Sequence, residues 1–173
     1  VASGDADVVL VGTVPDAETA ASLVELAASG RLVLAPAAAP SLVLALQTLD
    51  LRLAGSRQVE LRALLAATFR GGLALALCRA RKGGRLAAVE SLCPGSLVSE
   101  LILSGGLATL PDQLREAQGW TPLEASLARL AAGGHVEPRE ALLRAVDRPG
   151  LLARFREAGV PLPEHLPDDL REG

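Results

Sequence analysis

The chain has 173 residues, half of them apolar, and a formal net charge of −3. That length holds one domain with a real core, or one domain plus a small helical appendage. Phe69, Trp120 and Phe155 are the only aromatics and Lys82 is the only lysine, so stacking surface and cationic charge for a nucleic acid are both scarce and no nucleic-acid partner is expected.

Cys78 and Cys93 have neither metal-ligand spacing nor a partner motif. They read as small apolar residues in a reducing compartment. No apolar run is long enough to span a membrane, and no basic segment leads into an apolar one as in a signal peptide. The chain contains no Met, and a strand-like run begins a few residues after Val1. We expect a partial sequence.

Val8 to Val11 is a short apolar run between Asp7 and Gly12, which predicts a buried parallel strand. Asp16 is placed to cap a helix whose apolar positions are Ala17, Ala20, Ala21, Val24 and Ala28, and Gly30 is placed to end it. Arg31 to Ala35 predicts a second buried strand, completing a β-α-β unit. Pro36 and Pro40 frame a loop, and a helix is expected from Ser41 to about Leu49. Ser56 is the expected cap of the next helix, which ends near Phe69 at Gly71-Gly72. Leu73–Arg79 and Arg85–Val89 read as strands of a hairpin turning at Lys82-Gly83-Gly84.

Beyond Pro94 the pattern is helical. Short helices are expected near Ser96–Leu103 and Pro111–Gln118. Thr121-Pro122-Leu123-Glu124 reads as a capping box with Pro at the first helical position, and Trp120 as its hydrophobic lead-in. Gly133-Gly134 stops that helix. Pro138 opens another, and the last runs from about Gly150 to Ala158. The expected organisation is α/β over residues 1–92, helical over 93–159, and a Pro-rich tail over 160–173.

Several segments, in order, resemble the type IV pilus retraction (twitching motility, PilT-like) and type II secretion ATPases. Asp5-Ala6-Asp7-Val8-Val9-Leu10-Val11-Gly12 is similar to the Walker B strand, D-P-D-V-I-L-V-G, and Asp16-Ala17-Glu18-Thr19 keeps the D-x-E-T element that follows. Ala28 to Ala35 resembles E-T-G-H-L-V-L-A. Arg62 to Gly71 follows R-x-x-L-x-x-x-L-x-G. Gly84 to Glu90 is close to G-R-V-A-A-x-E, Gly119 to Glu124 to G-M-x-T-x-D, and Gly134 to Ala141 to G-x-I-S-x-E-E-A. The resemblance implies an α/β fold: the C-terminal part of a RecA-like ATPase core, with parallel strands plus a hairpin, followed by a small all-helical bundle. It implies ATP and Mg²⁺ as family cofactors, although none is expected for this chain alone. It also implies a homo- or hetero-oligomer, a hexameric ring in the family. By the same resemblance, its partner is the inner-membrane pilus or secretion platform, and it is cytoplasmic and peripheral to that membrane.

The departures bear on chemistry. Thr13 stands where the family has its Walker B glutamate, and a hydroxyl is no base near neutral pH; losing a general base costs a factor of about 10²–10⁴. Pro15 replaces the arginine that follows. The His box, T-L-H-T, is Pro36-Ala37-Ala38-Ala39, with Ala38 at the imidazole position. The A-I-R-N-L-I motif tied to retraction aligns with Leu97 to Ile102 and lacks its Arg. No catalytic residue is therefore expected. Asp5, Asp7, Gly12, Asp16 and Glu18 remain as a nucleotide- and magnesium-proximal remnant. Read without the resemblance, Asp5 and Asp7 are strand-edge polarity, and Asp16 and Glu18 are cap and first-turn charges.

A P-loop requires Lys followed by Ser or Thr. Lys82 is followed by Gly83, so these residues hold none. His135 and His165 are far apart and read as surface histidines. Two functions stay open: a catalytically degenerate paralogue acting in assembly or regulation, and part of an active motor whose P-loop lies upstream of this chain. A third reading is an unrelated α/β domain.

Overall fold

In a computed structural model of the protein, residues 6–114 and 119–162 are described. They fall into two compact units, each assembled from separated stretches of chain: residues 6–71 with 93–114, and residues 72–92 with 119–162.

The first unit opens with β1 (Val8–Leu10), α1 (Ala17–Ala28) and β2 (Leu32–Leu34). The strands pair in parallel, Val9 opposite Val33. Asp16 caps α1, its carboxylate accepting the Thr19 N–H at 2.8 Å, and Gly30 takes the positive φ of 98° that ends the helix. Helix α2 (Leu42–Arg52) is capped by Ser41, and α3 (Gln58–Thr68) and α4 (Ser96–Ser104) follow. A 3-10 turn, Leu107–Thr109, leads into α5 (Leu110–Leu114). The core joins Ala20 and Val24 of α1, Leu42, Val43 and Leu46 of α2, Leu61 and Leu65 of α3, and Val98 and Ile102 of α4. Helix α3 packs on both α1 and α4.

Two expectations fail here. The β1/β2 pair is not buried: Val8, Leu10, Leu32 and Leu34 share one face and are 54%, 76%, 44% and 47% exposed. Only Val9 and Val33, on the other face, are half-buried. An unbroken apolar run suggests cover on both faces, and α1 packs against β2. Ser56 does not cap α3. The residue before that helix is Arg57, with no side-chain cap bond; its guanidinium instead pairs with Glu25 and Glu60.

The second unit is built on the hairpin of β3 (Gly72–Arg79) and β4 (Arg85–Leu92), joined in antiparallel register from Gly72 opposite Leu92 to Arg79 opposite Arg85. Gly83 and Gly84 adopt φ of 91° and 76° in the turn, a conformation that side chains resist. The short strand β5 (Trp120–Thr121) pairs with the end of β4. Helices α6 (Leu123–Ala132), α7 (Pro138–Arg144) and α8 (Arg148–Glu157) follow. Cys78 and Ala88 of the hairpin, Leu127 of α6, Leu142 of α7, and Leu151 and Phe155 of α8 are all fully buried in one core. Strand β3 alternates strictly. Gly72, Ala74, Ala76 and Cys78 face inward, small enough for α6 and α7 to approach, while Leu73, Leu75 and Leu77 are 72%, 68% and 53% exposed.

Thr121-Pro122-Leu123-Glu124 does not form a capping box. Thr121 is committed to the ladder with Ser91. Pro122 precedes α6 without a side-chain cap bond. The Glu124 carboxylate turns away to accept the N–H groups of Val146 and Asp147 at 3.1 and 2.9 Å. Nor is Trp120 a staple: it sits in β5 opposite Leu92 and donates its indole N–H to Glu90 at 3.1 Å. Asp5, His165 and most of the Pro-rich tail lie outside the described residues, as does the end of the helix expected to reach Gln118.

Candidate functional site

In a parallel β-α-β unit the carboxyl ends of the strands lie side by side, and the loops leaving them form the usual binding edge of an open α/β sheet. Here the ends of β1 and β2 are tied by a hydrogen bond from the Val11 N–H to the Leu34 carbonyl at 3.0 Å. The loop from Gly12 to Asp16 and the loop from Ala35 to Pro40 therefore leave the same edge. This is where the sequence motifs place the family's chemistry.

Thr13 is exposed in the first loop and Ala38 in the second. Gly12 has open space on its Cα: an added Cβ would meet no atom within 4 Å, so nothing in the described structure demands glycine there. Asp16 is occupied by its cap bond to Thr19. That N–H holds its carboxyl below the usual range, and Arg52 adds a smaller attraction. Glu18 is exposed in the first turn of α1. Asp7 lies at the opposite end of β1, exposed, with its carbonyl accepting the Leu32 N–H at 2.9 Å. The structure thus brings Gly12, Thr13, Asp16 and Ala38 to one edge and keeps Asp7 away from them.

A magnesium–nucleotide site needs oxygen ligands around the ion and a phosphate cradle. Of the oxygen donors at this edge, the Asp16 carboxylate is already spent on a helix cap, and the Pro36–Ala39 loop offers only backbone. Among the described residues no cluster of three His, Cys, Asp or Glu is placed to hold a metal. Lys82 lies in the exposed hairpin turn between β3 and β4.

The segment aligned with A-I-R-N-L-I is α4. It buries Val98, Leu101 and Ile102 and exposes Glu100, so it keeps the packing face of a helix without a cationic group. His135 is exposed in the turn after α6, and its carbonyl accepts the Arg81 N–H at 2.9 Å. Sequence reasoning did not anticipate that the most enclosed polar groups among the described residues are Asp50, Glu90, Glu124 and Ser126. Each lies on an otherwise apolar helix or strand face, a breach of periodicity that was the available signal. Among the described residues no helix is long and apolar enough to cross a membrane.

No protein-family model matches this chain, and no curated protein sequence matches it. Solved structures do. The pilus retraction motor PilT, determined with bound ADP, is similar over 85% of this chain at 22% identity, with a TM-score of 0.74. The ATPase DotB of Legionella pneumophila is similar over 79% of the chain at 18% identity and a TM-score of 0.71. That of Yersinia pseudotuberculosis is similar over 81% at 23% identity and the same TM-score of 0.71. This chain spans 42%, 38% and 37% of those three chains. The mixed α/β fold expected from the ordered motifs is the fold the chain has, and over most of its length it is the fold of these solved structures.

Proposed function

We propose that this chain is the Walker B half and C-terminal helical region of a PilT-like pilus or secretion motor ATPase, in a degenerate form that acts in assembly or regulation rather than hydrolysis. In this reading residues 1–92 correspond to the ATPase core, 93–159 to the helical region and 160–173 to a tail. The observation that carries it is the pair of neighbouring loops at the ends of β1 and β2. They present Thr13 and Ala37-Ala38-Ala39 where the resembling family has a carboxylate and an imidazole. Replacement in two loops at one edge removes acid–base groups while leaving the β-α-β frame intact.

The second reading, part of an active motor, draws its support from length, because the chain spans 42% of PilT and a longer protein would supply a P-loop. Under either reading the partners are further copies or related subunits in a hexameric ring and an inner-membrane platform, with the protein on the cytoplasmic side.

The test joins this chain to the P-loop half of a pilus retraction motor and measures phosphate release with Thr13 and with Thr13→Glu. Turnover far below about 1 per second with Thr13, raised by the glutamate, supports the degenerate reading. Turnover near that value with Thr13 in place, lost when the P-loop lysine is mutated, overturns it. The chain by itself should show no thermal stabilisation by millimolar Mg-ATP. A rise of several degrees contradicts that expectation.

A further inference from the structure

The chain leaves the second unit and re-enters it at one point. The β4–β5 ladder sets Leu92 opposite Trp120, with Ser91 opposite Thr121 beside it. Paired antiparallel strands are usually joined by about 2–5 residues, whereas here residues 93–119 intervene. Among the described residues, the core of the second unit draws only on residues 72–92 and 119–160. Its polar ties are internal as well: the Val89 N–H donates to the Ser126 hydroxyl at 3.0 Å, and the Trp120 indole to Glu90 at 3.1 Å. The excursion spends its apolar side chains elsewhere. Val98 and Ile102 of α4, and Leu107 and Leu110 beyond it, are buried. Helix α4 packs on α3, and the 3-10 turn after it packs on α2. Ser99 donates its hydroxyl to the Ala66 carbonyl, and Gln47 its amide to the Leu107 carbonyl, each at 3.3 Å.

We propose that residues 93–114 form a strap that opens and closes over the first unit while the second unit stays folded. Proteins open locally in contiguous cooperative segments, and this stretch is one such segment. Its release breaks the packing of α4 on α3 and the two side-chain bonds to Ala66 and from Gln47, and none of the bonds named within the second unit. The Leu92–Trp120 pair holds both roots of the strap together when it is open. A segment tethered at both ends gains less conformational freedom on release than a free tail does, so the open strap remains poised to close again. The first unit is thus completed by a piece of chain that the second unit keeps in place. This proposal is independent of the ATPase reading.

Native-state hydrogen exchange on the whole chain, in urea below the unfolding transition, tests it. Ile102 is fully buried in α4. Ile102→Ala should speed exchange at the α4 amides by roughly 30-fold or more. It should leave the amides of Cys78, Leu127 and Phe155 within about twofold of the parent. Ser99→Ala removes only the bond to Ala66 and should give the same pattern at about fivefold. Acceleration by one common factor in both units overturns the proposal, because the chain then opens only as a whole. Exchange in α4 that neither substitution alters overturns it equally.

Discussion

Arg62 grips Asp50 with a two-pronged fork, Nε and Nη2 each donating to a different carboxylate oxygen at 2.6 Å. The pair joins α3 to α2, and its side chains are only 19% and 11% exposed. The hydrogen bond to Asp50 raises the guanidinium pKa further. Gly105, the αL cap of α4 at φ 72°, lies so close that an added Cβ would come within 2.7 Å of the guanidinium. One arginine thus ties two helices together and lies against the end of a third. Asp50→Ala should destabilise the protein by about 2–3 kcal/mol, because a half-buried cation loses its partner. Gly105→Ala should cost about 1–2 kcal/mol from the left-handed backbone, plus whatever the displaced fork adds. A denaturant double-mutant cycle should show coupling between Asp50 and Gly105, although their side chains belong to different helices.

Glu124 is buried and satisfies two backbone N–H groups where α7 passes into α8. Removing it orphans both. Glu124→Ala should cost about 2 kcal/mol, and hydrogen exchange should speed up first at the amides of Val146 and Asp147.

Among the described residues three carboxyls sit below their ordinary range. Asp16 is held down by the Thr19 N–H and Glu60 by the Arg57 guanidinium. At Glu140, burial pushes the value up, but the Arg79 N–H and the Arg144 guanidinium outweigh it. Each binds its proton more weakly when folded than when unfolded. The stability they contribute is therefore complete above the ordinary carboxylate value of about 4 and is lost as pH falls through the lower folded values. Melting temperature should hold steady from pH 7 to 5 and fall below about pH 4. Glu140→Gln should be less stable than the parent at pH 7, and the gap should close by about pH 2.

The two thiols should separate cleanly. Cys78 is fully buried, and burial pushes its pKa up; Cys93 is exposed. Since the thiolate is the reactive form, a thiol reagent at pH 8 should modify Cys93 within minutes. Cys78 should react only on unfolding. Rapid modification of both in the native protein would contradict the packing of β3 on the second core.

The β-α-β unit and the hairpin were legible because their signals are local: Asp16 and Gly30 at the two ends of one helix, Gly83-Gly84 between two apolar runs. Burial of β1 was misread because an apolar run reports what a strand could bury, not how many faces are covered. The Arg62–Asp50 fork was invisible because its partners are 12 residues apart on separate helices. Glu124 was assigned to its own helix start because capping patterns are local, while its real partners lie 22 and 23 residues ahead. At the candidate site, the juxtaposition of Thr13 and Ala38 followed from chain order. The separation of Asp7 from Asp16 follows from the same order, because β1 lies between them. What sequence could not supply was that Asp16 spends its carboxylate locally.

The division of each unit between two stretches of chain has a consequence during synthesis. When residue 71 leaves the ribosome, α3 has no α4 to pack on, because α4 comes after the hairpin. The first unit must wait for residues 93–114, while the β3–β4 hairpin, whose contacts are nearest in sequence, can close as soon as Leu92 is made. Chains emerge at about 5–20 residues per second, so α3 stands without α4 for a few seconds. In that interval the face of α3 that α4 covers in the finished protein is open to a chaperone.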